Sequence, residues 1–221
     1  MQRSLARAVT AVLAVGLVAL SAAGAAAQPA GTVASPAAKA RADGGHPPYT
    51  AADVRFLSGM IGHHAQAVLM AGWAPTHGAS KGLQILAERI AVAQQDEIAF
   101  MQRWLADRKE PVPSADASHD MMPGMEGMGH AMMPGMLTAA QLTQLDQARG
   151  PEFDRLFLTF MIQHHRGALS MVDQLFGSPG AGQDDQIFKF ASDVSADQET
   201  EIARMTTMLE ERGAKPAPND E

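Results

Sequence analysis

Hydrophobic positions in this chain fall at three- and four-residue steps, and the steps form four long blocks. Behind Thr50, the residues Phe56, Leu57, Met60, His63, His64, Ala67, Met70 and Ala71 mark one face of an amphipathic helix. Thr50 with Asp53 three residues on reads as a capping box, and the helix is predicted to end near Trp73, ahead of Pro75. A second helix is predicted from about Ser80 to Arg108, with the stripe Leu83, Leu86, Ile90, Gln94, Glu97, Ile98, Met101 and Leu105; Pro111 forbids its continuation. A short helix capped by Thr138 and Gln141 carries Leu142 and Leu145. Gly150-Pro151 breaks the chain, and Pro151 suits the first turn of a helix that stops near Phe176-Gly177. The last helix covers roughly Gln183 to Arg212. No strand pattern competes.

The blocks are copies. Asp53, Phe56, Leu57, Met60, Ile61, His63, His64, Ala67 and Met70 return as Asp154, Phe157, Leu158, Met161, Ile162, His164, His165, Ala168 and Met171, always 101 residues later. Gln94, Glu97, Ile98, Ala99, Met101 and Leu105 return as Gln198, Glu201, Ile202, Ala203, Met205 and Leu209, at an offset of 104. Each unit is a helical hairpin, and two hairpins predict a single all-α domain, a pseudo-two-fold four-helix bundle over residues 50–212. Hairpin one spans 50–110, an insert 111–137, and hairpin two 138–212.

The ends read differently. Arg3 and Arg7 precede an uncharged run from Ala8 to Leu20, and Ala25-Ala26-Ala27 follows, the pattern of a secretory signal peptide over residues 1–27. Residues 28–49 are Pro- and Gly-rich without periodicity and read as a disordered leader, and 213–221 as a flexible tail. Removing Arg3 and Arg7 from the 17 basic residues leaves 15 against 24 acidic ones, a net charge of about −9. That balance argues against a nucleic-acid partner, and no later segment is apolar enough to span a bilayer. Export predicts a periplasmic or secreted protein. With no cysteine and 15 methionines, its soft sulfur ligands cannot be cross-linked as disulfides in an oxidising compartment.

The repeat concentrates polar chemistry on apolar faces. Adjacent histidines on a helix point about 100° apart, and His63 and His64 flank Met60 one turn earlier. Met60-His63-His64 and Met161-His164-His165 therefore offer a thioether and imidazoles from opposite sides of a pseudo-two-fold axis. Imidazole suits copper, zinc and nickel; thioether sulfur selects copper(I), and silver(I) by the same softness. Glu97 and Glu201, with Met101 and Met205 one turn on, are candidates to orient the imidazole N–H groups from behind the ligands. The alternative stays open that the methionines fill the core and the His-His pairs are buried polar groups bonded to the glutamates.

The insert carries a second candidate site. His119, Met121, Met122, Met125, Met128, His130, Met132, Met133 and Met136 lie among Pro and Gly, and seven of the sixteen residues from 121 to 136 are methionine. Met-Met-Pro-Gly-Met occurs twice. Such a loop cannot present a helical stripe, so its apolar side chains are expected to have nothing to bury against, which favours soft-metal binding over packing. Met121, Met122, Met125 and Met128 form one prospective cluster, and Met132, Met133 and Met136 another. Thioethers carry no titratable proton, so these clusters would hold metal at acid pH where imidazoles protonate. The remaining alternative is a methionine-rich surface that grips a partner.

The doubled Phe-Leu-x-x-Met-Ile-x-His-His-x-x-Ala helix, each followed by Gln-x-x-Glu-Ile-x-x-Met, resembles the exported domain-of-unknown-function family 305 over residues 50–110 and 138–212. The resemblance implies a ferritin-like four-helix bundle. Because the family includes a periplasmic copper-binding member linked to copper resistance, it also implies copper sites at Met60, His63, His64 and Met70 and at Met161, His164, His165 and Met171.

Three functions follow. The leading one is a non-catalytic copper(I)/silver(I) binder that sequesters metal or hands it to an efflux or transfer protein. The second is an enzyme, a ferritin-like di-iron or copper oxidase; a di-iron site needs Glu-x-x-His, but the positions three residues before the histidines hold Met60, Ile61, Met161 and Ile162. An exported interaction module with structural His-His pairs is the other alternative.

Overall fold

The structure, a computed structural model, describes residues 48–115 and 133–213. The signal peptide, nearly all of the leader, the insert from 116 to 132 and the tail from 214 lie outside the described residues. Among the described residues there are five helices: α1 (Ala51–Trp73), α2 (Lys81–Asp107), α3 (Ala139–Gln147), α4 (Gly150–Gly177) and α5 (Asp185–Glu210). They form an all-helical bundle, and no helix among the described residues is long and apolar enough to cross a membrane.

The predicted caps are present. Thr50 accepts from the backbone N–H groups of Ala52 and Asp53, and the Asp53 carboxylate closes the box on the Thr50 N–H at 2.6 Å. Thr138 and Gln141 make the equivalent box on α3, and Pro151 occupies the first turn of α4. Each box satisfies donors that the first helical turn leaves free.

α1 packs on α2 and α4 on α5, as the hairpins require, and α1 and α4 meet across the middle. Gly59 lies near Met171 and His63 near His164, so α1 and α4 run antiparallel. The core divides into two apolar clusters related by the repeat. One holds Met60, Met101 and Met171 with Phe56, Leu57 and Leu105. The other holds their counterparts Met161, Met205 and Met70 with Phe157, Leu158 and Leu209.

The hairpins are stapled reciprocally. Asp53 of hairpin one accepts the Gly182 N–H at 2.7 Å, from the turn of hairpin two. Its repeat, Asp154, accepts the Ser80 N–H at 3.0 Å, from the turn of hairpin one. Both carboxylates are buried, so each holds a neighbouring turn in a place where water cannot substitute. A further tie is stronger in one copy than in the other: Asp184, the N-cap of α5, pairs with Arg108 at the end of α2 at 2.6 Å, with both side chains buried, whereas their repeat counterparts Ser80 and Arg212 bond at 3.0 Å in a more exposed place. The Arg108 guanidinium also lies 3.8 Å from the centre of the Trp104 ring.

Asp184→Ala removes a helix cap and leaves the Arg108 charge buried without its partner. We expect a loss of about 3–5 kcal/mol in urea unfolding. Lys189→Ala, which removes an exposed pair with Asp193, should cost under about 1 kcal/mol.

Candidate metal centre

The four histidines of the repeat converge between α1 and α4, and all are fully buried. The rings of His63 and His164 lie against each other, with centroids 3.8 Å apart. His64 and His165 turn the other way, as their 100° offset dictates, with ring centroids 6.4 Å and 6.3 Å from their neighbours.

One nitrogen of each ring is committed. His64 Nε2 lies 2.6 Å from a Glu97 carboxylate oxygen, and His165 Nε2 lies 2.7 Å from Glu201. His164 Nε2 donates to the His63 backbone carbonyl at 2.9 Å, and His63 Nε2 donates to the Pro134 carbonyl at 3.0 Å. Carbonyl and carboxylate oxygens only accept, so Nε2 carries the proton in every ring. The Nδ1 atom is then a bare lone pair when the ring is neutral, and all four Nδ1 atoms are buried without a hydrogen-bond partner. His77 supplies the contrast. This buried histidine has Asp146 at its Nε2 and the Thr76 hydroxyl 2.9 Å from its Nδ1. An unmet buried acceptor costs on the order of 1–3 kcal/mol, so four in one layer is a large concession to something other than packing.

Burial is the main force on the charge state of the inner pair. It pushes His63 down to about 3, helped by the neighbouring His64 and opposed by the Pro134 carbonyl. Burial first, then the adjacent His63, likewise holds His164 well below its ordinary value. These rings are neutral at pH 7 and present lone pairs rather than protons. The glutamates reach outward, with side chains 19% and 23% exposed. Burial raises the pKa of nearby Asp197, as do the charges of Glu97 and Glu201. Gln94 and Gln198, one turn before each glutamate, add further buried amide atoms without partners.

The predicted site residues divide. The structure unites His63, His64, His164 and His165 with Glu97 and Glu201. It separates Met60 from Met161: each is fully buried in its own apolar cluster, as are Met70, Met101 and Met205. Met60, one turn before His63 and His64, is packed in the apolar cluster beside the imidazole layer. Among the described residues no three His, Asp or Glu side chains are arranged to hold a metal ion. His119, Met121, Met122, Met125, Met128, His130 and Met132 lie outside the described residues.

The insert's return to the bundle overturns one expectation. Its methionines were expected to have nothing to bury against, yet Met133 packs on the Met60–Met171 cluster. Residues 133–137 form a strap along the α1–α4 groove. Gly135 takes a left-handed φ of 74°, and Gly167 lets the strap close in, since a Cβ there would lie 2.0 Å from the Pro134 oxygen. Gln66, fully buried, receives the Leu137 N–H at 2.8 Å and donates to the Leu137 carbonyl at 3.2 Å.

Gln66, Gly167 and Gly59 escaped the sequence reading, which tracked only identities between repeats. The signal lay in the mismatches: Gly59 stands where the second copy has Phe160, and Gln66 where it has Gly167.

Two outcomes follow. Gly167→Ala should cost about 1–3 kcal/mol in thermal unfolding because the strap must shift. Gly72→Ala, with nothing within 4 Å of an added Cβ, should stabilise by about 0.5–1 kcal/mol. Unfolded histidines bind protons below about pH 6.5, whereas folded His63 and His164 stay neutral far lower. Stability is thus highest above about pH 6.5 and falls on acidification by up to about 1.4 kcal/mol per pH unit for each ring. Urea midpoints should show this slope, and His63→Gln should flatten it.

Residues 53–218 match the model of the family described as Domain of unknown function (DUF305). A solved DUF305 protein from Streptomyces coelicolor is 32% identical, with a TM-score of 0.63, covering 76% of this chain and 98% of its own. A DUF305 fragment from Deinococcus radiodurans is 26% identical, with a TM-score of 0.62, covering 75% and 99%. CopM in its Cu(II)-bound form is 29% identical, with a TM-score of 0.57, covering 72% and 96%. CopM has also been solved in Cu(I)-bound, Ag-bound and apo forms. No curated protein matches the chain.

Proposed function

The chain belongs to the DUF305 family, and we propose that within it this protein is an exported, non-catalytic binder of copper(I) and silver(I) that sequesters the metal or hands it on, supporting copper tolerance. The observation that carries the reading is the set of four buried imidazoles whose Nε2 atoms are engaged and whose Nδ1 lone pairs are not. Neutral imidazole is a ligand that need not lose a proton before it binds. The Glu97 and Glu201 carboxylates orient two of the rings and raise their basicity.

The choice of metal rests on softness. Seven methionines between 121 and 136 favour copper(I) and silver(I) over zinc. CopM, similar over most of its own length, takes copper in both oxidation states and silver, which supports the same cargo here. In this reading the insert captures the ion and the imidazole layer holds it under the strap. Export follows from the basic, apolar and small-residue segments at the N-terminus, with a metal efflux or transfer protein as the recipient.

Anaerobic copper(I) titration of the full chain against a chelator tests this. Deleting residues 119–132, which leaves the strap, and His64→Gln/His165→Gln should each weaken binding at least about tenfold, or about 1.4 kcal/mol. A wild-type chain that cannot compete with even a weak chelator sinks the proposal and returns the His-His pairs to the core.

A further inference from the structure

The strap brings Met133 of the insert close to a helical methionine. A Cβ added to Gly59 would lie 3.2 Å from the Met133 sulfur and 3.4 Å from the Met171 methyl carbon. The two thioether side chains thus both crowd the space over Gly59, one of three α1 positions without a side chain. Met171 is 8% exposed and Met133 is half-buried, so the pair sits at the rim of the apolar cluster rather than inside it. Gly59 is one helical turn before His63, and Pro134, next to Met133, is the residue whose carbonyl takes the His63 N–H.

The repeat shows that this pairing is local. At the related position Phe160 replaces Gly59, and the counterpart of Met171 is Met70, which is fully buried. The Gly59 side thus differs from its repeat in leaving room over the helix for a methionine from the strap. Packing alone would be served equally well by a leucine from the strap, which α1 meets in full burial at Leu137.

We propose that Met133 and Met171 form a two-sulfur subsite for a soft monovalent cation, copper(I) or silver(I), at the junction between the insert and the imidazole layer. The inference rests on the copper/silver reading above and gives it a location. Thioether sulfur is neutral and polarisable, so a monovalent soft ion can sit at this half-buried rim without proton release. Gly59 is the specificity device, because a larger residue would push the Met133 sulfur away from Met171.

The test is silver nitrate titration of the full chain carrying methyl-13C methionine, followed by NMR. Met133→Leu and Met171→Leu assign the two methyl signals and, as volume-conserving swaps, should leave the thermal midpoint nearly unchanged. The two methyls should shift along one shared titration curve. Each single variant should cut the silver response of the other methyl at least tenfold, while Met70→Leu should leave both curves in place. If other methionine methyls shift while these two stay, the subsite is wrong and the copper/silver reading survives. The subsite is equally wrong if Met133 responds undiminished in Met171→Leu. If no methyl moves at any silver level, the subsite falls, and the chelator competition with the imidazole variant decides the copper/silver reading separately.

Discussion

The antiparallel contact of α1 with α4 is the constraint on which everything else depends. It is the largest interface between the two hairpins, and it forces His63, His64, His164 and His165 into a single buried layer. Imidazole is costly there unless both nitrogens are met, and only one is. The bundle tolerates that cost because apolar clusters on either side of the layer, each with three methionines from the repeat, supply the burial.

Duplication explains how the layer is held. The two aspartates that begin α1 and α4 each grip the turn of the other hairpin, so neither hairpin closes fully without its copy. The glutamates of α2 and α5 each hold the outer imidazole of their own hairpin. Each connects a buried ring to a partly exposed carboxylate and so gives the layer an electrostatic outlet towards solvent.

Function enters where the symmetry fails. His63 and His164 are equivalent in sequence, yet one donates to the insert and the other to the helix backbone opposite it. The cause is steric. Gly59 and Gly167 open one side of the α1–α4 groove, the strap enters, and Gln66 pairs with its backbone as a neighbouring strand would. A chain with two exact repeats would have no such entrance. The methionine-rich segment is therefore joined to the imidazole layer through a fixed anchor at residues 133–137.

The helices, their caps and the pairing of the hairpins were legible in the sequence because each is encoded locally or by repetition. Apolar spacing, Thr50 with Asp53, Thr138 with Gln141, and Pro151 act within a few residues of themselves. The 101-residue offset made the two histidine pairs equivalent and placed the glutamates near them. What the sequence left open was direction. Met60 and His63 are one turn apart, but only the packed bundle turns the first into an apolar cluster and the second under a strap. Likewise, nothing local marks Met133 as different from the other insert methionines. Its place beside Met171 depends on a gap left by Gly59, 74 residues earlier in the chain, and a gap becomes meaningful only when something distant comes to fill it.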